Sequence, residues 1–599
     1  MKKLLTGNEA IAYGAYRAGV KFGAAYPGTP STEIMANYAK YPGVYAEWTT
    51  NEKVSLDVAI GASYAGTRAF VTMKHVGLNV AADSLFYAVF TGVKGGLVVV
   101  TADDPGMHSS QNEQDNRNYG KFAKLPVLEP ADSAEGAELM GLAMELSETY
   151  DTPVILRSTT RISHSRSLVE VAEALEPQGT DKEIQYYQRD VTKQIVMPHN
   201  ARRLHVMVED RLRRLAEYAE TAAINRLEPG SDEIGIVASG VAYQYAREVF
   251  PDATFLKLGM AYPLPRDLFF QLAGRVKKVV VIEELDPFYE EHLKVLGIPV
   301  IGKEVFPITG EFSPALIRQC AVKAALLPAT GQVQAAAAKE KALPTMDLPP
   351  RPPMLCPGCG YRGIFHVLTR IKALVFGDIG CYTLGCIPPL DATHTCGCMG
   401  AGVGVLHGVD KVQVKDPTVA VIGDSTLFHS GIAPLINIVY NGGVSTVIIL
   451  DNRITAMTGF QGNPSTGNTL QGDYTIEINI EDMVRSMGIK KVDTVNPFDL
   501  KKVREVIKDH LNTPEVSVIV SRYPCTLYNK EKYPAPRIDA EKCNYCQNCL
   551  KIGCAPLINR ETHVELDAIL CNGCGYCVKV CPTGAIIQDQ EFERGGCHV

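Results

Sequence analysis

Repeated α/β units closed by a small cysteine-rich α+β module are the fold this sequence predicts, on three observations. Strand-like and helix-like runs alternate through most of the 599 residues, the pattern of parallel sheets covered by helices. An Ala- and Pro-rich stretch over 328–353, PATGQVQAAAAKEKALPTMDLPPRPP, interrupts that alternation and lacks the apolar side chains to build a core. Beyond residue 530 the periodic runs stop and two short runs of cysteine take over. A chain this long exceeds what one hydrophobic core serves, so it divides into domains.

Taken in order, the opening MKKLLTGNEAIAYGAYRAG reads as a strand entering a helix, and no continuous apolar stretch of a secretion signal follows its lysines. Residues 1–165 then alternate strands such as Phe70–Met73, Leu97–Val100 and Val154–Leu156 with helical stretches at 52–66 and 132–149. Residues 166–230 are charged and helical in period. They lead into a second α/β unit, within 166–327, with strands at Ile234–Val237 and Lys278–Ile282; its separation from the first rests on composition only. After the linker, a third α/β unit over 354–530 carries strands near 374–378, 418–422 and 446–450, and the cysteine module occupies 531–599.

Composition excludes several classes of function. A net charge of −7 argues against a nucleic-acid or anionic-membrane surface, and no apolar run reaches the length of a membrane span. Seventeen cysteines without a secretory signal imply a reducing, cytoplasmic interior where thiols serve metals.

The second cysteine run, C-N-G-C-G-Y-C-V-K-V-C-P, has the C-x2-C-x2-C-x3-C-P spacing of a bacterial cubane iron–sulfur site. In tandem runs the fourth cysteine ligates the other cluster, because three closely spaced thiolates wrap one cube and its fourth ligand arrives from elsewhere. Cys543, Cys546, Cys549 and Cys581 are therefore expected to hold one [4Fe-4S] cluster, and Cys554, Cys571, Cys574 and Cys577 the other. Four residues separate Cys549 from Cys554, an insertion expected to strain or expose one cluster. Disulfides or zinc are the competing uses of these thiols.

In the third unit, the strand Thr418–Ile422 ends in Gly423-Asp424-Ser425, and the strand Thr446–Leu450 ends in Asp451-Asn452-Arg453. A carboxylate and an amide at neighbouring strand ends suit the crevice where open α/β sheets bind ligands, and Mg²⁺ takes such hard oxygens together with phosphate. The spacing resembles the thiamine diphosphate (TPP) fingerprint, with Ser425 in place of a glycine. By that resemblance Asp424, Asn452 and the carbonyl of Ile454 would ligate Mg²⁺; a plain turn is the ordinary alternative. Gly400-Ala401-Gly402-Val403-Gly404 lacks dinucleotide-binding spacing.

Cys356-Pro357-Gly358-Cys359-Gly360, Tyr26-Pro27-Gly28-Thr29-Pro30, Met73-Lys74-His75-Val76-Gly77, Ser110-Gln111-Asn112-Glu113-Gln114-Asp115-Asn116-Arg117 and Gly423-Asp424-Ser425-Thr426-Leu427-Phe428-His429-Ser430-Gly431 complete a pattern along nearly the whole chain. It resembles the large subunit in the 2-oxoacid:ferredoxin oxidoreductase family, in its arylpyruvate-using branch. The resemblance implies three TPP-enzyme-type parallel-sheet domains, pyrimidine-binding, transketolase-C-like and diphosphate-binding, plus a two-cluster ferredoxin-like module.

Oxidative decarboxylation of a 2-oxo acid is the implied reaction, with coenzyme A taking the acyl group and ferredoxin the electrons. A smaller beta subunit would complete an α2β2 assembly. The resemblance gives Glu52 the catalytic contact with the aminopyrimidine, Thr29 and Arg117 the substrate carboxylate, and Met399, Gly400 and Ser425 contacts to TPP. The residues alone read otherwise: Glu52 as a helix-start acid capped by Asn51, Thr29 as a turn hydroxyl, Arg117 as a surface ion pair. His75 and His429 carry no assigned role. Cys356, Cys359, Cys381 and Cys525 are expected to bind a third cubane near TPP, with buried thiols or zinc as alternatives and Cys396 and Cys398 as a complicating pair. A non-oxidative TPP enzyme, an electron-transfer subunit with a vestigial TPP fold, and a branched-chain or other 2-oxo acid substrate are the competing readings.

Overall fold

The computed structural model describes residues 1–172, 189–328, 353–530 and 532–588 and divides into two compact units, Met1–Leu348 and Pro349–Val599. Strand Lys2–Thr6 runs directly into helix Gly7–Arg17, where Thr6 and Glu9 cap each other's backbone N–H. The main sheet of this unit has seven strands in the spatial order Met260–Tyr262, Val127–Leu128, Val154–Thr159, Leu97–Asp103, Ala69–Lys74, Phe22–Ala25 and Tyr45–Trp48. All neighbours are parallel except the first pair, which is antiparallel. Its central strand Leu97–Asp103 is buried at every residue, which is why Val98, Val99 and Val100 run on without polar interruption.

A second sheet orders Val300–Ile301, Lys278–Val281, Ser231–Ser239, Ala253–Leu258 and Arg226–Glu228, parallel except for the last pair. Residues 166–230, expected to be helical, instead open with strand Arg166–Glu170, paired antiparallel with Lys2–Thr6; the helical period belongs to helix Pro198–Thr221. The two expected domains are stitched across residue 165 by that pairing and by Met260–Tyr262, which closes the first sheet. One apolar core also takes Val71, Val99 and Ile155 from the first sheet and Val237, Leu256 and Val281 from the second. These linking strands are too short to leave a periodicity in the sequence. Most of the linker expected at 328–353 lies outside the described residues.

The second unit is built on six parallel strands, in the order Thr395–Cys396, Leu374–Gly377, Thr418–Gly423, Thr446–Asp451, Ser517–Arg522 and Lys491–Val495. Two apolar layers cover its faces, one around Phe365, Leu368 and Ile448, the other around Leu406, Leu435 and Ile449. The cysteine module adds two antiparallel strand pairs, Arg537–Ile538 with Ile586–Ile587 and Leu557–Asn559 with Val564–Leu566. It is anchored by Tyr576, whose ring stacks on Phe498 at 4.3 Å and whose hydroxyl lies 3.0 Å from the carbonyls of both Gly360 and Pro497. The insertion before Cys554 is taken up by a 3₁₀ turn, Leu550–Ile552, and a left-handed Gly553 (φ 63°). It leaves Cys549 buried and Cys554 half-buried, whereas among the described residues of the module the exposed thiol is Cys546. Among the described residues no helix is long and apolar enough to cross a membrane.

Candidate active site

In the first unit, Glu52 opens helix Glu52–Tyr64, whose N-cap Asn51 accepts from Val54 N at 2.9 Å. The Glu52 side chain is 5% exposed and lies over Gly77: a Cβ there would meet Glu52 Oε1 at 2.6 Å. Gly77 is thus a glycine because a buried carboxylate needs its space. The Gly28-Thr29 turn follows strand Phe22–Ala25, and a Cβ on Gly28 would press on Lys74 Cβ at 3.0 Å. Lys74 donates to Ser109 O at 2.7 Å, and burial brings its pKa down to about 8. Asp104 organises the adjoining loop, accepting from Ser109 N, Ser110 Oγ and Thr160 Oγ1. His75 is fully buried and faces Asn112 O at 3.2 Å.

Arg117 is buried and bonded to groups of the protein itself. It is 1% exposed, with Nε and Nη2 on Asp115, Nη1 on Glu283 Oε2 at 2.7 Å, and Nη2 also on the carbonyls of Glu284 and Asp286. Phe288 and Tyr289 pack against its guanidinium. Beside it Arg157 binds Asp103 and Glu129. The expected substrate donor is therefore a cross-link between the two sheets of this unit, and the expected surface ion pair is a buried one. Its partners Glu283 and Glu284 lie 166 and 167 residues away in sequence, out of reach of motif reading.

In the second unit the strand register sets Gly423 opposite Leu450, so Asp424 and the Asp451-Asn452 pair emerge side by side. Asp424 is 2% exposed; burial, then the neighbouring Asp451, push its pKa up to about 7. Asp451 is answered by Arg522, Nε to Oδ2 at 2.7 Å, whereas Asp424 Oδ2 accepts from the neutral amide of Asn463 at 3.0 Å. Arg453 takes a left-handed turn (φ 62°) between Asn452 and Ile454, and Ile454 N donates to Asn452 Oδ1 at 3.2 Å. A buried carboxylate held by a neutral donor, beside an amide oxygen and a backbone carbonyl, is a donor set that fits Mg²⁺.

Sequence reading missed Asn463 and Asp378. Asp378 is fully buried, burial pushes its pKa up to about 7, and it accepts from Gly400 N at 3.0 Å and from Tyr382. It ends a strand just as Asp424 does, so the same signal could have found it; Asn463 lies in an irregular loop that carries none. Gly400 is left-handed (φ 84°), and a Cβ there would meet Ser430 O at 2.5 Å, which fixes the half-buried Met399 beside it. Thr455 donates to Ser425 Oγ at 2.9 Å. A π-helical turn, Leu427–Gly431, follows, a distortion frequent at functional sites.

Several of the thiols expected to bind clusters lie near one another. Cys543, Cys546, Cys549 and Cys581 line one small cavity. Cys577 lies within electrostatic range of Cys554, Cys571 and Cys574, and Gly573 N donates to Cys571 Sγ at 3.3 Å. Burial pushes the Cys359 thiol up to about 12 and the Cys381 thiol up to about 11, with neighbouring cysteines adding to the rise. Among the described residues no three His, Cys, Asp or Glu side chains converge as ligands of a single metal ion.

Three family models match the chain. Pyruvate flavodoxin/ferredoxin oxidoreductase, thiamine diphosphate-binding, covers residues 13–223; the C-terminal TPP binding domain of thiamine pyrophosphate enzymes covers 378–521; and a 4Fe-4S binding domain covers 564–587. Indolepyruvate oxidoreductase subunit IorA of Archaeoglobus fulgidus is 40% identical over 98% of this chain and 97% of its own. The 2-oxoglutarate synthase subunit KorA of the same organism is 29% identical over 47% of this chain and 87% of its own. A solved 2-oxoglutarate:ferredoxin oxidoreductase from Magnetococcus marinus is 19% identical with a TM-score of 0.45, covering 54% of this chain and 65% of that one.

Proposed function

The chain belongs to the family of indolepyruvate oxidoreductase subunit IorA, and from that premise we propose that it decarboxylates arylpyruvates oxidatively, forming the aryl-acetyl thioester of coenzyme A and passing electrons to ferredoxin. The observation that carries this reading is Asp424: a buried carboxylate at a strand end, met by the Asn463 amide, in a chain that also carries a 4Fe-4S domain.

TPP, when bound, supplies the carbanion chemistry that a 2-oxo acid needs to lose CO2. Asp424, Asn452 and the carbonyl of Ile454 would hold Mg²⁺ with the cofactor's diphosphate. Asp378 keeps Gly400 and Met399 in place for the cofactor ring through its bond to Gly400 N, and Ser425 completes that wall. Glu52 would hold a proton at the aminopyrimidine nitrogen. Thr29 donates to the substrate carboxylate, while Arg117 serves by locking the sheets behind it. Cys543, Cys546, Cys549 and Cys581 would hold one cubane of the tail and Cys554, Cys571, Cys574 and Cys577 the other, with a third held by Cys356, Cys359, Cys381 and Cys525; such clusters would supply one-electron carriers between the cofactor and ferredoxin. A smaller beta subunit, two copies with two of this chain, would share the coenzyme A site.

Anoxic dye-reduction assays of the two-subunit complex with coenzyme A test the reading. Indolepyruvate should exceed branched-chain 2-oxo acids and pyruvate in kcat/KM; a preference for either competitor would overturn the substrate class.

A further inference from the structure

Arg362 lies in helix Tyr361–Ile371 of the second unit and is 1% exposed. Its partners are main-chain carbonyls: Nε donates to Cys356 O at 3.3 Å, Nη2 to Leu355 O, and Nη1 to Ile552 O at 2.9 Å and to Gly553 O. Among the described residues no carboxylate pairs with it, although burying a lone cation is costly. The four carbonyls have one thing in common. Leu355 and Cys356 frame the first thiol of the Cys-Pro-Gly-Cys turn, and Ile552 and Gly553 lead into Cys554.

Other contacts bring the same two segments together. Gly358, inside the turn, has φ 77°, and a Cβ on it would strike Asn572, next to Cys571, at 1.9 Å. The guanidinium acts electrostatically on Cys356, Cys359 and Cys554 alike. The four-residue spacing before Cys554 now has a use: the 3₁₀ turn and left-handed Gly553 present two carbonyls to Arg362.

We propose that Arg362 is a redox-setting residue placed between two iron–sulfur clusters, the one on Cys356, Cys359, Cys381 and Cys525 and the one on Cys554, Cys571, Cys574 and Cys577. The proposal rests on the third cluster of the preceding reading. Each electron added to a thiolate-bound cubane adds one negative charge, and a buried cation beside it favours that reduced state. One electron leaves the first cluster, which returns to its oxidised state, and reduces the second by one. No bond forms or breaks and no proton moves; the electrons come from the 2-oxo acid and end on ferredoxin. Arg suits the place because its fork satisfies carbonyls on both sides while always keeping its charge.

The test uses the anoxic two-subunit complex as wild type, Arg362→Gln and Arg362→Lys. Iron content and EPR-monitored redox titration are the readouts. Arg362→Gln should keep about twelve irons per chain and lower the midpoint potential of at least one of the two clusters by about 59 mV, a tenfold change in a one-electron equilibrium. Arg362→Lys should stay near wild type. Unmoved potentials in Arg362→Gln, or equal shifts in both variants, overturn the proposal while leaving the third cluster standing. About eight irons in wild type, unchanged when Cys356 and Cys359 become Ser, sink the third cluster and the proposal together. Should Arg362→Gln fail to assemble, Arg362→Met is titrated in its place: a lowered midpoint potential of either cluster supports the proposal, and unmoved potentials overturn it.

Discussion

Two groups of buried acidic side chains, Asp103, Asp115, Glu129 and Glu283 in the first unit and Asp424 and Asp378 in the second, meet their charge in opposite ways, although Asp451 beside Asp424 is itself paired with Arg522. In the first unit Asp103, Asp115, Glu129 and Glu283 are met by Arg117 and Arg157. In the second, Asp424 and Asp378 meet an amide, a phenol and backbone N–H groups, and burial pushes both up to about 7. A buried carboxylate matched by a guanidinium belongs to the scaffold, since removing either partner strands a charge in low dielectric. One matched only by neutral donors is suited to take a cation from a ligand. The contrast explains why Arg117, a motif residue, reads as structural, whereas Asp424 reads as functional.

The largest effect is expected at Glu52, buried at the start of its helix in the first unit. Glu52→Gln should leave the chain folded and able to retain TPP while lowering kcat roughly 10²–10⁴-fold, the usual worth of a positioned acid–base group. Near-wild-type turnover would remove Glu52 from the mechanism. The scaffold kind should respond in stability instead: Arg117→Met leaves Asp115 and Glu283 short of a partner and should cost about 3–5 kcal/mol, read by denaturant unfolding. A stable variant with a raised KM for the 2-oxo acid would restore Arg117 to substrate binding and break the comparison.

Asn463→Ala removes the amide that orients Asp424 and should weaken Mg²⁺-dependent TPP binding about 10–100-fold, the range for groups that orient metal ligands, without lowering the melting temperature of the cofactor-free protein. Unchanged affinity by calorimetry would separate Asn463 from the metal. The smallest effect concerns Glu284, which burial pushes up to about 7 despite nearby Arg157. Folded, its carboxyl holds a proton more tightly than it does unfolded, near 4.5. Between those values the folded chain binds more protons, so its contribution to stability falls as pH rises from about 4.5 to about 7. Glu284→Gln still accepts from Phe312 N and should flatten that slope; parallel pH profiles for the two proteins would contradict it.

The strand ends and cysteine runs that the candidate site draws on are local in sequence and were therefore legible. Gly423-Asp424-Ser425 and Asp451-Asn452 end strands whose apolar runs announce them, and parallel pairing brings such ends together. The cysteine spacings are local too, and the grouping of Cys543, Cys546 and Cys549 with distant Cys581 follows the tandem rule. Asn463 and Arg362 were not legible, because what they touch is set by folding: Asn463 reaches back 39 residues to Asp424, and Arg362 reaches forward 190 to Ile552. The strand pairing across residue 165 escaped for a similar reason, since five-residue edge strands such as Arg166–Glu170 show no periodicity.

The sequence by itself determined the parallel α/β units, the cysteine module and the strand-end acids, because apolar period and ligand spacing act over a few residues. Only the tertiary structure decided which charges are paired. Burial raises the cost of an isolated charge, so the neighbour that arrives from afar determines each residue's role. Glu283 makes Arg117 part of the scaffold, and the carbonyls beside Cys356 and Cys554 set Arg362 between two groups of thiols.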